Sequence, residues 1–93
     1  MTDTPTLPVA YVEWVDSGVV SGGWDDRQEA IERAGPTLGL PIRSAGLLVA
    51  QNEDGVLLAL GHNTRVDDVV LVLAIPRSVI QRMDLWDPTG GKS

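Results

Sequence analysis

The chain has 93 residues, a formal net charge of −6, no cysteine, no phenylalanine and a single tyrosine. That length holds one domain, and without cysteine neither a disulfide nor a thiolate metal site supplements its core. The core must be aliphatic, and in so small a domain self-association adds buried surface that one chain lacks.

No stretch approaches the roughly 18 uninterrupted apolar residues of a membrane span. The first eight residues have no basic region and no long apolar run, so no signal peptide is expected there. A single domain is expected over residues 1–93, with an ordered core over 8–88 and disordered tails over 1–7 and 89–93. The absence of cysteine points to the cytoplasm rather than to a secreted scaffold. The charge is uneven: residues 1–34 carry seven acids against Arg27 and Arg33, whereas from Gly35 onward six acids face five bases. Long-range repulsion from phosphate backbones makes nucleic acid an unfavourable partner.

Along the chain, residues 9–15 alternate in part and form a first strand, which Val19 and Val20 extend beyond a turn at Asp16-Ser17-Gly18. Ser21-Gly22-Gly23 breaks that pattern. A helix of about ten residues follows. Asp25 is its expected N-cap and Gln28 completes a capping box. Ile31 and Ala34 mark its apolar stripe, Gly35 stands just past its last turn and Pro36 cannot continue it. Isolated helices shorter than ~12–15 residues are marginal in water, so this one is expected to pack on the strands.

Residues 42–50 and 56–60 form a hairpin across the loop 51–55, where Gly55 is expected to supply a positive φ. Residues 61–68 form a polar connection. Residues 69–75 are nearly continuous in apolar character, so both faces of that strand should be covered, either centrally or by another chain. Pro76 ends it, Arg77-Ser78 makes a tight turn of 3₁₀ type, and residues 79–86 alternate as a last strand. Val79, Met83 and Leu85 face inward there, and Arg82 and Asp84 outward.

The pattern predicts a mainly β (α+β) fold. Its form is a small five-stranded, strongly bent antiparallel sheet or an SH3-like or Sm-like barrel, with one helix inserted after the first strand. The strand over 69–75, the break at Pro76-Arg77-Ser78 and the final strand resemble the end of SH3-like and Sm-like barrels. More narrowly, Trp14-Val15-Asp16-Ser17, Gly23-Trp24, the acidic helix, Ser44-Ala45-Gly46 and Ile75-Pro76-Arg77-Ser78-Val79 resemble a loose group of small uncharacterised actinobacterial and phage proteins. That resemblance spans residues 12–85. It carries no activity to transfer. The origin it implies suggests a phage-type accessory protein that antagonises a host factor or sequesters a small nucleotide.

Residues suited to chemistry are sparse. His62 is the one histidine, no His or Cys stands beside it at ligand spacing, and a solvated loop position is its plainer role. Ser17, Ser21, Ser44 and Ser78 lack a nucleophile motif. The acid pairs Asp25-Asp26, Glu53-Asp54 and Asp67-Asp68 fit a helix cap and two loops, and no phosphate loop or calcium loop is present. No cofactor and no metal are therefore expected. Trp14 and Trp24 are each core plugs, with the indole N–H on a carbonyl, or a stacking platform. In the second case Arg43, Arg65 and Arg77 are the candidates for ligand contacts beside them. The expected function is a non-catalytic binding or assembly module, homo-oligomeric. An Sm-like nucleic-acid-binding protein is the alternative.

Overall fold

A computed structural model describes residues 4–18 and 22–88. Residues 1–3 of the expected tail over 1–7, the whole expected tail over 89–93, and the expected strand extension at Val19 and Val20 lie outside the described residues.

Five antiparallel strands form one sheet: β1 (Val9–Asp16), β2 (Leu40–Gln51), β3 (Gly55–Asn63), β4 (Asp68–Pro76) and β5 (Ile80–Trp86). The helix α1 (Arg27–Ala34) lies between β1 and β2, and a single 3₁₀ turn, η1 (Arg77–Val79), links β4 to β5. The spatial order is β4-β3-β2-β1-β5. The protein is thus the mainly β, small bent sheet that the alternation of its sequence predicts. Two bulges help to bend it. Val49 is an extra residue where Leu48 pairs with Leu58 and Ala50 with Leu57, and Gln81 is extra where Glu13 pairs with Arg82 and Trp14 with Ile80. A bulge kinks its strand and increases the local twist.

The core is small and wholly aliphatic. Ala10, Val12, Leu48, Val56, Leu58 and Ile75 form it, and Trp14, Val79, Ile80, Met83 and Leu85 pack around it. Among the described residues these come from all five strands and η1, so the strand register fixes the core. The inward set expected for the last strand is borne out, with Arg82 and Asp84 exposed.

Several local expectations are corrected. The helix starts one residue later, with Asp26 as N-cap and no side-chain capping bond. Asp25 instead reaches Arg33 at 3.9 Å. None of the residues of α1 is buried, and Ile31 is 47% exposed. The helix therefore does not pack on the sheet, because its stripe of Ile31 and small alanines offers too little apolar surface to hold it there. Gly35 does take a left-handed φ of 78° at the helix end.

The β2–β3 loop is shorter than expected. Asn52 closes it, its Oδ1 accepting from the backbone N–H of Asp54 at 2.8 Å and of Gly55 at 3.2 Å. Gly55 has no positive φ. A Cβ there would lie 2.5 Å from the Ile75 carbonyl oxygen, so glycine is needed for close approach to β4 rather than for the turn. The polar stretch after Leu60 is not all connection: Gly61, His62 and Asn63 belong to β3 and pair with Val70, Val69 and Asp68.

The largest departure concerns β4. It lies at the edge of the sheet, not its centre. Only Ile75 on it is buried, and Val69, Val70, Leu71, Val72 and Leu73 are all exposed, Leu71 at 70%. Continuous apolar character signals that both faces should be covered, and the described residues do not cover them.

Candidate functional site

Of the residues singled out in the sequence, Trp14 and Arg43 border one recess and the others lie apart. Trp14, on β1, turns to the core side with Ala10 and Val12, since side chains alternate along a strand. It is half-buried, and its indole N–H donates to Ser44 Oγ at 3.0 Å. It is the core plug of the two expected roles, although its partner is a hydroxyl rather than a carbonyl. Arg43 pairs with Glu13 across β1 and β2, one residue out of phase with Trp14, and so projects from the opposite face of the sheet. Its Nε lies 3.5 Å from Glu13 Oε2, and the side chain is largely exposed. Glu13 also accepts a 2.9 Å hydrogen bond from the Tyr11 hydroxyl. That bond, followed by desolvation and the Glu13 charge, raises the Tyr11 pKa above its ordinary value.

Trp14 and Arg43 border one shallow recess of about 500 Å³, with Pro41, Ile42 and Gln81. Arg65 stands at the β3–β4 turn, where its backbone N–H donates to Asn63 Oδ1 at 3.1 Å. Arg77 is at the other end of that hairpin. A strand the length of β3 separates them, roughly 25 Å at about 3.3 Å per residue. Arg77 is a structural clamp. Its Nη2 donates to the Asn52 carbonyl at 2.7 Å and to Gln51 Oε1 at 3.3 Å, and its backbone N–H donates to the Asp54 carbonyl at 2.9 Å. Trp24 precedes α1 and is fully exposed, so it plugs nothing in its own chain. The five candidates do not gather around one ligand.

No family model, curated protein or solved structure matches the chain. Its own geometry has to carry the functional reading.

His62 is not the solvated loop residue that its polar neighbours suggest. It sits on β3 with its side chain 4% exposed, and its Nε2 lies 2.8 Å from Asp67 Oδ1. Asp67 closes the β3–β4 turn with a left-handed φ of 59°, a conformation that Asp tolerates better than most residues. The pair pins the turn. Among the described residues no serine or threonine hydroxyl hydrogen-bonds to His62, and no three metal-ligating side chains converge. Among the described residues no helix is long and apolar enough to cross a membrane.

What the sheet does present is an aliphatic surface along β4. Residues 69–73 supply it, and Leu60 on β3, itself 70% exposed, lies beside Leu71. Leu58, Leu60, Leu71 and Leu73 also border an open apolar notch of about 240 Å³ beside Gly46. The sequence contained the signal for this surface, a strand apolar on both faces. What it did not contain was the position of that strand at an edge.

Proposed function

We propose that this protein is a non-catalytic assembly module that works as a homo-oligomer, with β4 as the surface on which copies meet. The observation that supports it is a run of five exposed aliphatic residues, 69–73, on a strand whose outer edge no other strand among the described residues pairs. Edge strands of soluble proteins are ordinarily guarded by charge, by proline or by a covering element, and this stretch has none of the three. Contiguous exposed apolar surface of this kind marks an interaction site. A second copy is the occupant because the chain is short of core on its own. Its six-residue cluster is small for a domain of this length, and α1 adds nothing to it.

The separation of Trp14, Trp24, Arg43, Arg65 and Arg77 weighs against a nucleotide cradle built within one chain. The net charge of −6 weighs against a nucleic-acid role.

Light scattering on the full chain across a concentration series tests the proposal. The expected result is a species of two or more copies at tens of micromolar. Leu71→Asp is expected to weaken the association at least tenfold, because a carboxylate would be buried without a partner. A strictly monomeric native chain throughout the series would sink it.

A further inference from the structure

Among the described residues the sheet ends in two outermost strands, β4 and β5, and a second copy offers the same two. They differ in chemistry. β5 carries Gln81, Arg82 and Asp84 exposed, and Arg82 Nη2 lies 2.7 Å from Asp84 Oδ2. Charged side chains of this kind keep a strand edge from pairing. β4 carries no charge between Val69 and Pro76, and because side chains alternate it is aliphatic on both faces. A strand that covers it without taking exposed charged side chains out of water must be aliphatic on both faces too. β5 fails that requirement on its Arg82–Asp84 face, and β4 meets it.

We infer that β4 pairs antiparallel with β4 of a second copy, about a two-fold axis at Leu71, whose left-handed φ of 53° in the single chain must become extended as that ladder forms. This rests on the self-assembly reading and names the strand that serves it. In that register Leu71 faces its own counterpart, Val70 faces Val72 and Val69 faces Leu73. Asp68 falls opposite Ala74, so the two Asp68 carboxylates lie at opposite ends of the shared ladder. A parallel in-register pairing would set Asp68 beside Asp68, and like charges directly opposite are destabilising. Pro76, which has no N–H, falls opposite Val66 in the turn, beyond the strand, so no ladder bond is lost there. The contact is isologous: the same patch serves both copies and closes at a dimer.

The chain has no cysteine, so an introduced thiol is the only one present. Directly opposed residues of an antiparallel pair have Cα atoms about 4.5 or 5.5 Å apart, within the roughly 4.4–6.8 Å span of a disulfide. Under mild oxidation Leu71→Cys is expected to become a covalent dimer almost completely. Val69→Cys alone is expected to give at least tenfold less, and to form a mixed dimer readily with Leu73→Cys. A mixture of Leu71→Cys and Gln81→Cys that forms the mixed dimer in preference to the Leu71→Cys homodimer would overturn the inference in favour of a β4–β5 contact. Equal yields from Val69→Cys and Leu71→Cys would overturn the register. In either case, light scattering that still shows an oligomer leaves self-assembly standing, whereas a monomeric native chain removes both.

Discussion

Tyr11, Glu13 and Arg43 form a short polar row on the outer face of β1 and β2, and its chemistry is simple enough to predict. The Tyr11 hydroxyl donates to Glu13, so the bond exists only while the phenol is protonated. Its pKa in the folded chain is raised above the usual value of about 10. The stabilisation this bond provides is therefore present at neutral pH, below the unfolded pKa, and is lost as pH rises through the folded pKa. A titration of phenolate absorbance should show a midpoint above the ordinary tyrosine value. Glu13→Ala should move it back towards that value, because it removes both the hydrogen-bond acceptor and the carboxylate charge. An unchanged midpoint in that variant would break the assignment. At this scale the sequence was partly legible. Trp14 as a core plug follows from its place in an alternating strand, but the partnership of Arg77 with the Asn52 loop does not. Twenty-five residues separate Arg77 from Asn52, and only the return of β4 beside β3 brings them together.

Secondary-structure elements differ in how much they contribute to stability. Ile75 is 1% exposed and is the only buried residue of β4. Ile75→Ala should cost about 2–5 kcal/mol, through lost transfer energy and the cavity left behind. Ile31→Ala on α1 should stay within about 0.5 kcal/mol, since Ile31 touches no core and alanine is the better helix former. Urea denaturation of both variants checks the pair, and equal losses would mean that α1 packs on the sheet after all. Leu71 holds a left-handed φ of 53° within β4, a conformation that costs a non-glycine residue about 1–2 kcal/mol. The β3–β4 register runs through Val70 and Val72 but omits the pair at Leu71, so the kink falls at the middle of the exposed strip. The strands themselves were legible because their period and composition repeat over many residues. The loop bounds were not, because Gly55 serves a close approach between strands that no local pattern encodes.

For the molecule as a whole, the balance of buried against exposed apolar surface sets behaviour in solution. A chain with a small core and a bare aliphatic edge should gain stability from association, and by mass action its Tm should then depend on protein concentration. For a dimer, each tenfold rise in concentration contributes about 1.4 kcal/mol per dimer. That corresponds to an increase of several degrees for a domain of this size. Leu71→Asp should flatten that dependence, and a Tm independent of concentration in the native chain would contradict it. Calorimetry at two concentrations reads the difference.

By itself the sequence determined the class of the fold: strand periodicity, punctuation at Pro36 and Pro76, the glycine past the helix and an aliphatic core with no cysteine. Each of these is a local property of neighbouring residues, which is why it survives without coordinates. Only the tertiary structure decided where β4 lies, that α1 stays clear of the sheet, that His62 is shielded beside Asp67 and that the candidate arginines point to different surfaces. Those outcomes depend on contacts between residues far apart in the chain, where strand order and register, rather than local composition, choose which apolar side chains find cover.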